Sequence, residues 1–300
     1  MAKPRASLET LEVFCRTVEL GSFTAAARAL GLTPQAASRA VTRLEASLGV
    51  ALLRRSTRLV RPTEAGRSFH ERCRAGLSMI ADASAALAGG DGARGVVRIS
   101  MPTTFGHFRL LPALAELRRE HPGLRIEAHV SNHNVDFVRE GFDLAVRLGE
   151  IDRATFVARS LGEFPLGLFA SPRYLARAGT PRSVDELVAH EAILFRLPST
   201  GRVLPWELAG GRQLRPPAAW SCAEDFLACI TLARAGAGIV QAYRFLVERE
   251  LARRELVEVL PQLGGQTRRF SLVYPKGAAV SRAVRVVVDH VLAHVRVPRG

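Results

Sequence analysis

The segment Gly21–Glu45, GSFTAAARALGLTPQAASRAVTRLE, constrains the chain more than any other stretch of its 300 residues. Gly21 suits the left-handed position after a helix, and Ser22 can cap a new one by accepting a free N–H of its first turn. The run TAAARAL has high helix propensity, and its alanines let a neighbouring helix approach closely. Gly31 stops that helix, Leu32 can plug the corner, Thr33 caps the next helix, and Pro34 takes the first helical position, where a missing N–H costs little. Two short helices joined by a tight turn are therefore expected.

Helical spacing divides the second helix into two faces. Ala37, Val41, Leu44 and Leu48 fall at intervals of four, three and four and should face a core. Thr33, Gln35, Ser38, Arg39, Thr42 and Arg43 lie mostly on the other side. Gln pairs bidentately with adenine, Arg with guanine, and Ser or Thr with either. A polar helix face alone is ordinarily just solvated, but here a basic loop follows directly, LLRRSTRLVRP (52–62). Between Arg39 and Arg61 the chain carries six arginines and a single acid, Glu45. Arg54, Arg55, Arg58 and Arg61 suit a β-wing that grips phosphates without reading sequence. A formal charge of +14 agrees with a polyanionic partner. The basic content is almost all Arg, a bias that genome composition can also produce.

Residues 8–66 resemble the winged helix-turn-helix of LysR-type transcriptional regulators. The resemblance makes Phe23 and Ala26 core residues and assigns Thr33, Gln35, Ser38, Arg39 and Arg43 to the recognition helix. Where that family commonly has Gln-Pro, this chain has Pro34-Gln35. The expected fold is an N-terminal all-α winged helix-turn-helix with a linker helix, then an α/β two-lobed effector domain similar to periplasmic solute-binding proteins.

The boundaries expected are 1–62 for the DNA-binding domain, 63–91 for a dimerisation linker helix and 92–300 for the effector domain. In the linker, Phe69, Cys73, Leu77, Ile80, Ser84 and Leu87 follow spacings near a heptad seam. That seam fits either packing on the chain's own domain or an intermolecular coil. A Gly-rich break at 89–92 favours the coil, which would place paired recognition helices on successive major grooves. Beyond Gly95, strand and helix alternate: strands at 96–102, 124–130 and 142–149, helices at 105–120 and 135–141. A similar block begins near Phe164, with a helix at 224–235, a strand at 238–242, a strand at 270–275 and a helix at 281–295. Alternation predicts parallel sheet. DFVREGFDLAVRLGE, ASPRYLARAG and LARAGAGIVQAYRFLVERELARRELVEVLP resemble the effector-binding domain of the same family. The resemblance implies lobe I at 92–161 and 267–300 and lobe II at 162–266.

Clefts between lobes are where small ligands bind. Thr103 and Thr104 follow the first strand at a helix start, Ser131 and Asn132 follow the second strand, and Arg147 ends the third. Arg196 and Ser199 begin a loop of lobe II, and Ser221 precedes its next helix. Hydroxyls and Arg together point to a small organic anion, while loop capping or a structural ion pair would explain each residue singly. His107 and His133 lie near the same edges.

The four cysteines (Cys15, Cys73, Cys222, Cys229) have no metal-ligand spacing and are expected to be reduced structural thiols. His290 and His294, at i and i+4, fit a solvated helix face better than a metal site. No catalytic motif and no cofactor is expected. The N-terminus lacks the apolar core of a signal peptide, so a cytoplasmic protein is expected rather than an exported solute-binding protein. The expected partners are double-stranded promoter DNA, a small-molecule effector, a second copy in a homodimer or homotetramer, and, by the resemblance, RNA polymerase; no membrane is expected.

Overall fold

The computed structural model of the protein describes residues 6–55, 60–87, 93–133, 140–264, 266–276 and 281–295. Two compact units make up the chain, one centred on the first 95 residues and the other on 96–276 with the end of the last helix.

In the first unit, three capped helices follow in quick succession. Ser7 caps α1 (Leu8–Leu20), Ser22 caps α2 (Phe23–Leu30) and Thr33 caps α3 (Pro34–Leu48), each hydroxyl accepting a backbone N–H three residues on. Gly31, at φ +68°, supplies the left-handed turn between α2 and α3, a conformation that costs glycine little. The hairpin of β1 (Leu53–Arg55) and β2 (Val60–Pro62) follows α3 and leads into α4 (Glu64–Leu87). Val13, Phe14, Ala27, Ala37, Val41, Leu44 and Leu52 share one core.

Two expectations need correction here. The buried stripe of α3 is Ala37-Ala40-Val41-Leu44, whereas Leu48 is 43% exposed at the last helical position, past the end of that stripe. On α4, Phe69, Cys73 and Leu77 pack against the core of their own winged domain. The first half of the seam is therefore intramolecular: helices α1 and α4 meet, and Phe69, Cys73 and Leu77 are spent there. Met79 and Ile80 are left exposed on α4. The Gly-rich break lies outside the described residues.

The second unit is built on a nine-stranded sheet. Its elements are β3 (Gly95–Met101), α5 (Thr103–Phe105), a π-helical turn at Gly106–Leu110, α6 (Leu111–Glu120), β4 (Leu124–Val130), β5 (Leu144–Leu148) and β6 (Phe156–Ala170). There follow α7 (Pro172–Ala178), α8 (Val184–Val188), β7 (Ala192–Arg196), β8 (Trp206–Leu208), β9 (Arg212–Leu214) and β10 (Ala218–Ala223). The last are α9 (Leu227–Arg234), β11 (Ile239–Tyr243), α10 (Glu248–Ala252), β12 (Val257–Val259), β13 (Thr267–Pro275) and α11 (Arg282–His294). The strand order is β10-β7-β11-β6-β13-β5-β3-β4, with β12 also on β6 and β8-β9 as a separate hairpin.

The sheet is mixed rather than parallel. β6 pairs antiparallel with β13, β11 and β12, because the chain leaves one lobe along β6 and returns along β13. Parallel pairing survives within each lobe, between β3 and β5 and between β7 and its neighbours β10 and β11. The helix expected from Glu224 starts instead at Leu227, since Glu224 has φ +64° and cannot join a right-handed helix. The helix expected at 135–141 falls mostly outside the described residues. No helix among the described residues is long and apolar enough to cross a membrane.

Candidate functional sites

The polar, exposed side of the winged unit follows from how α3 is anchored. With its apolar stripe buried, α3 leaves Thr33, Gln35, Arg39, Thr42 and Arg43 exposed and Ser38 half-buried. Thr33 spends its oxygen on the cap, accepting from Ala36 N–H at 3.2 Å, and Thr42 donates its hydroxyl to the Ser38 carbonyl at 2.9 Å. Gln35, Arg39 and Arg43 thus present the longest polar side chains on this face. Glu45 is turned away from it: its Oε1 accepts the backbone N–H of Leu52 at 2.8 Å and of Leu53 at 2.9 Å. The lone acid among six arginines is therefore a fastener between the recognition helix and the wing.

The wing itself sets Arg54 directly opposite Arg61. Like charges facing across a strand pair repel, so this placement favours a polyanion between or beside them. Arg55 pairs with Val60, and Arg58 lies outside the described residues. Thr63 closes the wing by donating to the Ala51 carbonyl at 2.8 Å while accepting from Gly66 N–H at 2.9 Å. Gly66 touches the wing closely enough that a Cβ there would sit 1.9 Å from the Leu52 carbonyl oxygen.

In the second unit a cavity of about 350 Å³ lies between the lobes. Five of the eight expected effector residues line it: Thr104, Ser131, Asn132, Arg147 and Ser199. The other three do not. Thr103 gives its N–H to Asn132 Oδ1 at 3.1 Å, so the first N–H of that helix is already engaged. Arg196 is exposed and donates to the Gly201 carbonyl at 3.0 Å, tying its own loop. Ser221 is exposed on the edge strand β10, away from the lining. His133 lines the cavity and His107 does not.

The rest of the lining, which includes Leu166, Ile193, Phe195, Trp206, Phe226, Tyr243 and Arg268, carries no such sequence signal. Lobe II contributes most of this apolar and aromatic wall. A single buried aromatic in a strand reads simply as core, so its pattern carried no signal for a cavity. Arg147 donates through Nη1 to Ser100 Oγ at 3.3 Å and to its neighbour's carbonyl at 3.0 Å, which fixes its guanidinium against lobe I. Arg268 is held by both oxygens of Glu207, with Nε donating to Oε2 at 3.1 Å. Burial works against the Arg268 charge, but the Glu207 hydrogen bonds and charge outweigh it and raise its pKa. Burial pushes the Tyr243 phenol up to about 12, although the Arg268 charge and the hydrogen bond its oxygen accepts from Arg268 work the other way. Gln241 donates to the Glu207 carbonyl at 2.8 Å and accepts the Glu207 N–H at 2.7 Å, clamping β8 to β11.

Elsewhere, all four cysteines are free. His290 hydrogen-bonds the Ala113 carbonyl through Nε2 at 2.9 Å and stacks on His294, a packing role. No cluster of metal-ligating side chains occurs among the described residues.

Comparison with known proteins agrees with both units. Residues 8–67 match the bacterial regulatory helix-turn-helix of the lysR family, and residues 90–296 match the LysR substrate binding domain. The structure of CrgA, a LysR-type transcriptional regulator from Neisseria meningitidis, aligns with a TM-score of 0.62 at 31% identity, covering 97% of this chain and 99% of that one. AphB, the Vibrio cholerae virulence activator, aligns with a TM-score of 0.60 at 26% identity over 96% of this chain and 99% of its own. The transcriptional activator AaeR of Escherichia coli is 29% identical over 283 residues, 94% of this chain and 92% of AaeR. Recognition helix, wing and two-lobed domain thus stand in one order along one chain, and that chain belongs to the LysR family of helix-turn-helix transcriptional regulators.

Proposed function

We propose that this regulator binds promoter DNA as a homo-oligomer in the cytoplasm and is controlled by a small organic anion with an apolar or aromatic body. The observation that carries the effector reading is the two-sided lining of the cavity. Arg147 and the Thr104 and Ser131 hydroxyls stand on the lobe I side, while Phe195, Trp206 and Phe226 form a wall from lobe II. A carboxylate matches a fixed guanidinium flanked by hydroxyls, and a ring or short aliphatic chain matches the wall. A ligand that touches both lobes favours one lobe arrangement, and its differential affinity for that arrangement is what shifts transcription.

On the DNA side, Arg39 and Gln35 are proposed to read base edges, with Thr33, Ser38, Thr42 and Arg43 beside them. Arg54, Arg55, Arg58 and Arg61 are proposed to hold phosphates. Exposed Met79 and Ile80 on α4, and Trp220 at 48% exposure on β10, support association of copies. Residues 63–91 are proposed to serve that association. Contact with RNA polymerase would follow from promoter occupancy.

The test has two arms. Thermal unfolding with a panel of small carboxylates should show stabilisation by an acid such as benzoate and none by its neutral amide. Equal stabilisation by acid and amide would overturn the anion reading. Arg39→Ala should lower operator preference by about 1–3 kcal/mol while non-specific binding falls less. Unchanged preference would overturn the recognition-helix assignment.

A further inference from the structure

The strand order of the regulatory domain places β6 and β13 in the middle and β10 and β4 at its two ends. The chain passes between lobes along the middle pair. There the regular pairing is interrupted: Gly162 on β6 has φ +122°, and the register of β13 shifts between Phe270 and Ser271. An irregularity of this kind is where a strand pair can bend with little loss of pairing. The loops that follow the two end strands meet one another. Asn132, after β4, donates through Nδ2 to the Glu224 carbonyl at 2.8 Å. His133 Nε2 lies 2.8 Å from Glu224 Oε2, just after β10. Asn132 and His133 line the cavity, whereas Glu224 does not.

We propose that Glu224 is an interlobe latch, closing the cavity by its contacts with Asn132 and His133. The proposal rests on reading that cavity as the effector site. Three features of the contact suit a latch. It joins the loops after the two end strands of a sheet whose middle strands carry that irregularity. It is made from a tight turn, closed by the Asp225 N–H on the Ala223 carbonyl at 2.7 Å with Glu224 at φ +64°, and Glu224 offers both its carbonyl and its carboxylate to the lobe I loop. Its side chains are also exposed, 56% for His133 and 65% for Glu224, so water competes for both partners and the contact is weak. A latch that opens for each ligand exchange needs that weakness. Asn132 adds direction: its Oδ1 accepts the Thr103 N–H at 3.1 Å, so one amide links the latch to the helix start beside the cavity.

The chain's own fluorescence reads the latch. It has two tryptophans, Trp206 in the cavity wall at 3% exposure and Trp220 on the surface at 48%. In a Trp220→Phe background, quenching by acrylamide, a neutral quencher indifferent to salt, reports access to Trp206. Glu224→Gly keeps the carbonyl that Asn132 reaches and suits the left-handed backbone, so it should fold normally; losing the carboxylate contact with His133 should raise the Trp206 quenching constant roughly twofold. Glu224→Gln keeps a hydrogen-bonding end and should fall between. Quenching by Glu224→Gly equal to that of the parent would overturn the latch. Benzoate, added as a probe, should bind and leave Glu224→Gly faster than the parent. If benzoate bound neither protein while the quenching difference held, the carboxylate reading would fail and the latch would stand.

Discussion

Removing Glu45 separates two roles that electrostatics and structure assign in opposite directions. Its carboxylate accepts two backbone N–H groups, from Leu52 and Leu53, which are themselves 2% and 5% exposed. A hydrogen bond to a charged group is worth about 1.5–3 kcal/mol, and a buried donor left without an acceptor costs a similar amount. Glu45 is half-buried and some water can replace it, so the low end applies. Glu45→Ala should cost the winged unit about 3 kcal/mol. At about 4–8 °C per kcal/mol for a domain of this size, its melting transition should drop by roughly 12 °C or more. Glu45→Gln keeps a neutral acceptor of about half the strength and should lose about 1–2 kcal/mol. DNA affinity, measured by fluorescence anisotropy across a salt series, supplies the discriminating sign. If Glu45 acted only as a negative charge near phosphates, deleting it would tighten binding. If it fastens the wing, Glu45→Ala loosens Arg54 and Arg61 and weakens binding below that of Glu45→Gln. A melting transition within about 2 °C of wild type, or tighter DNA binding by Glu45→Ala than by Glu45→Gln, refutes the fastener.

Other perturbations follow from the same contacts. Gly66→Ala would put a Cβ 1.9 Å from the Leu52 carbonyl oxygen, a backbone atom that cannot swing aside. It should destabilise the winged unit by more than about 2 kcal/mol, visible in its melting transition. Burial holds the His190 pKa below its ordinary value, while the nearby Glu186 charge works the other way. A depressed histidine takes up protons more readily when unfolded, so its contribution is present above the unfolded pKa of about 6.5 and lost as pH falls below it. His190→Gln should therefore flatten the decline of stability between about pH 6.5 and 5 in urea titrations; an unchanged slope would count against this assignment. The Cys15 thiol is pushed up by its hydrogen bond with Cys73 and by burial, and the same hydrogen bond holds Cys73 below the usual thiol range. Iodoacetamide followed by peptide mapping should label half-buried Cys73 before buried Cys15, and the reverse order would contradict that pairing.

The parts of this protein legible in its sequence are those set by neighbours in the chain. Ser22 and Thr33 cap helices, and Gly21 and Gly31 end them, because a cap needs only a hydroxyl three residues from an N–H or a residue without a Cβ. The helix-turn-helix, the exposed row from Gln35 to Arg43 and the lobe order all rest on such local signals or on patterns the family shares. What the tertiary structure decided is whatever needs a distant partner. Glu45 reads as one more surface acid until the fold brings the N–H groups of Leu52 and Leu53 to it. Phe69, Cys73 and Leu77 read as a coil seam until α1 is there to cover them. Arg147, Trp206 and Arg268 come from three separate strands, and only the mixed pairing of β6 with β13 and β11 brings them to one cavity. A hydroxyl in a strand-end loop carries the same sequence signal whether it faces a ligand or solvent. Thr104 and Ser199 therefore line the cavity while Ser221 does not. Local chemistry specified the elements; the burial of one face against a remote partner chose which side chains were left to act.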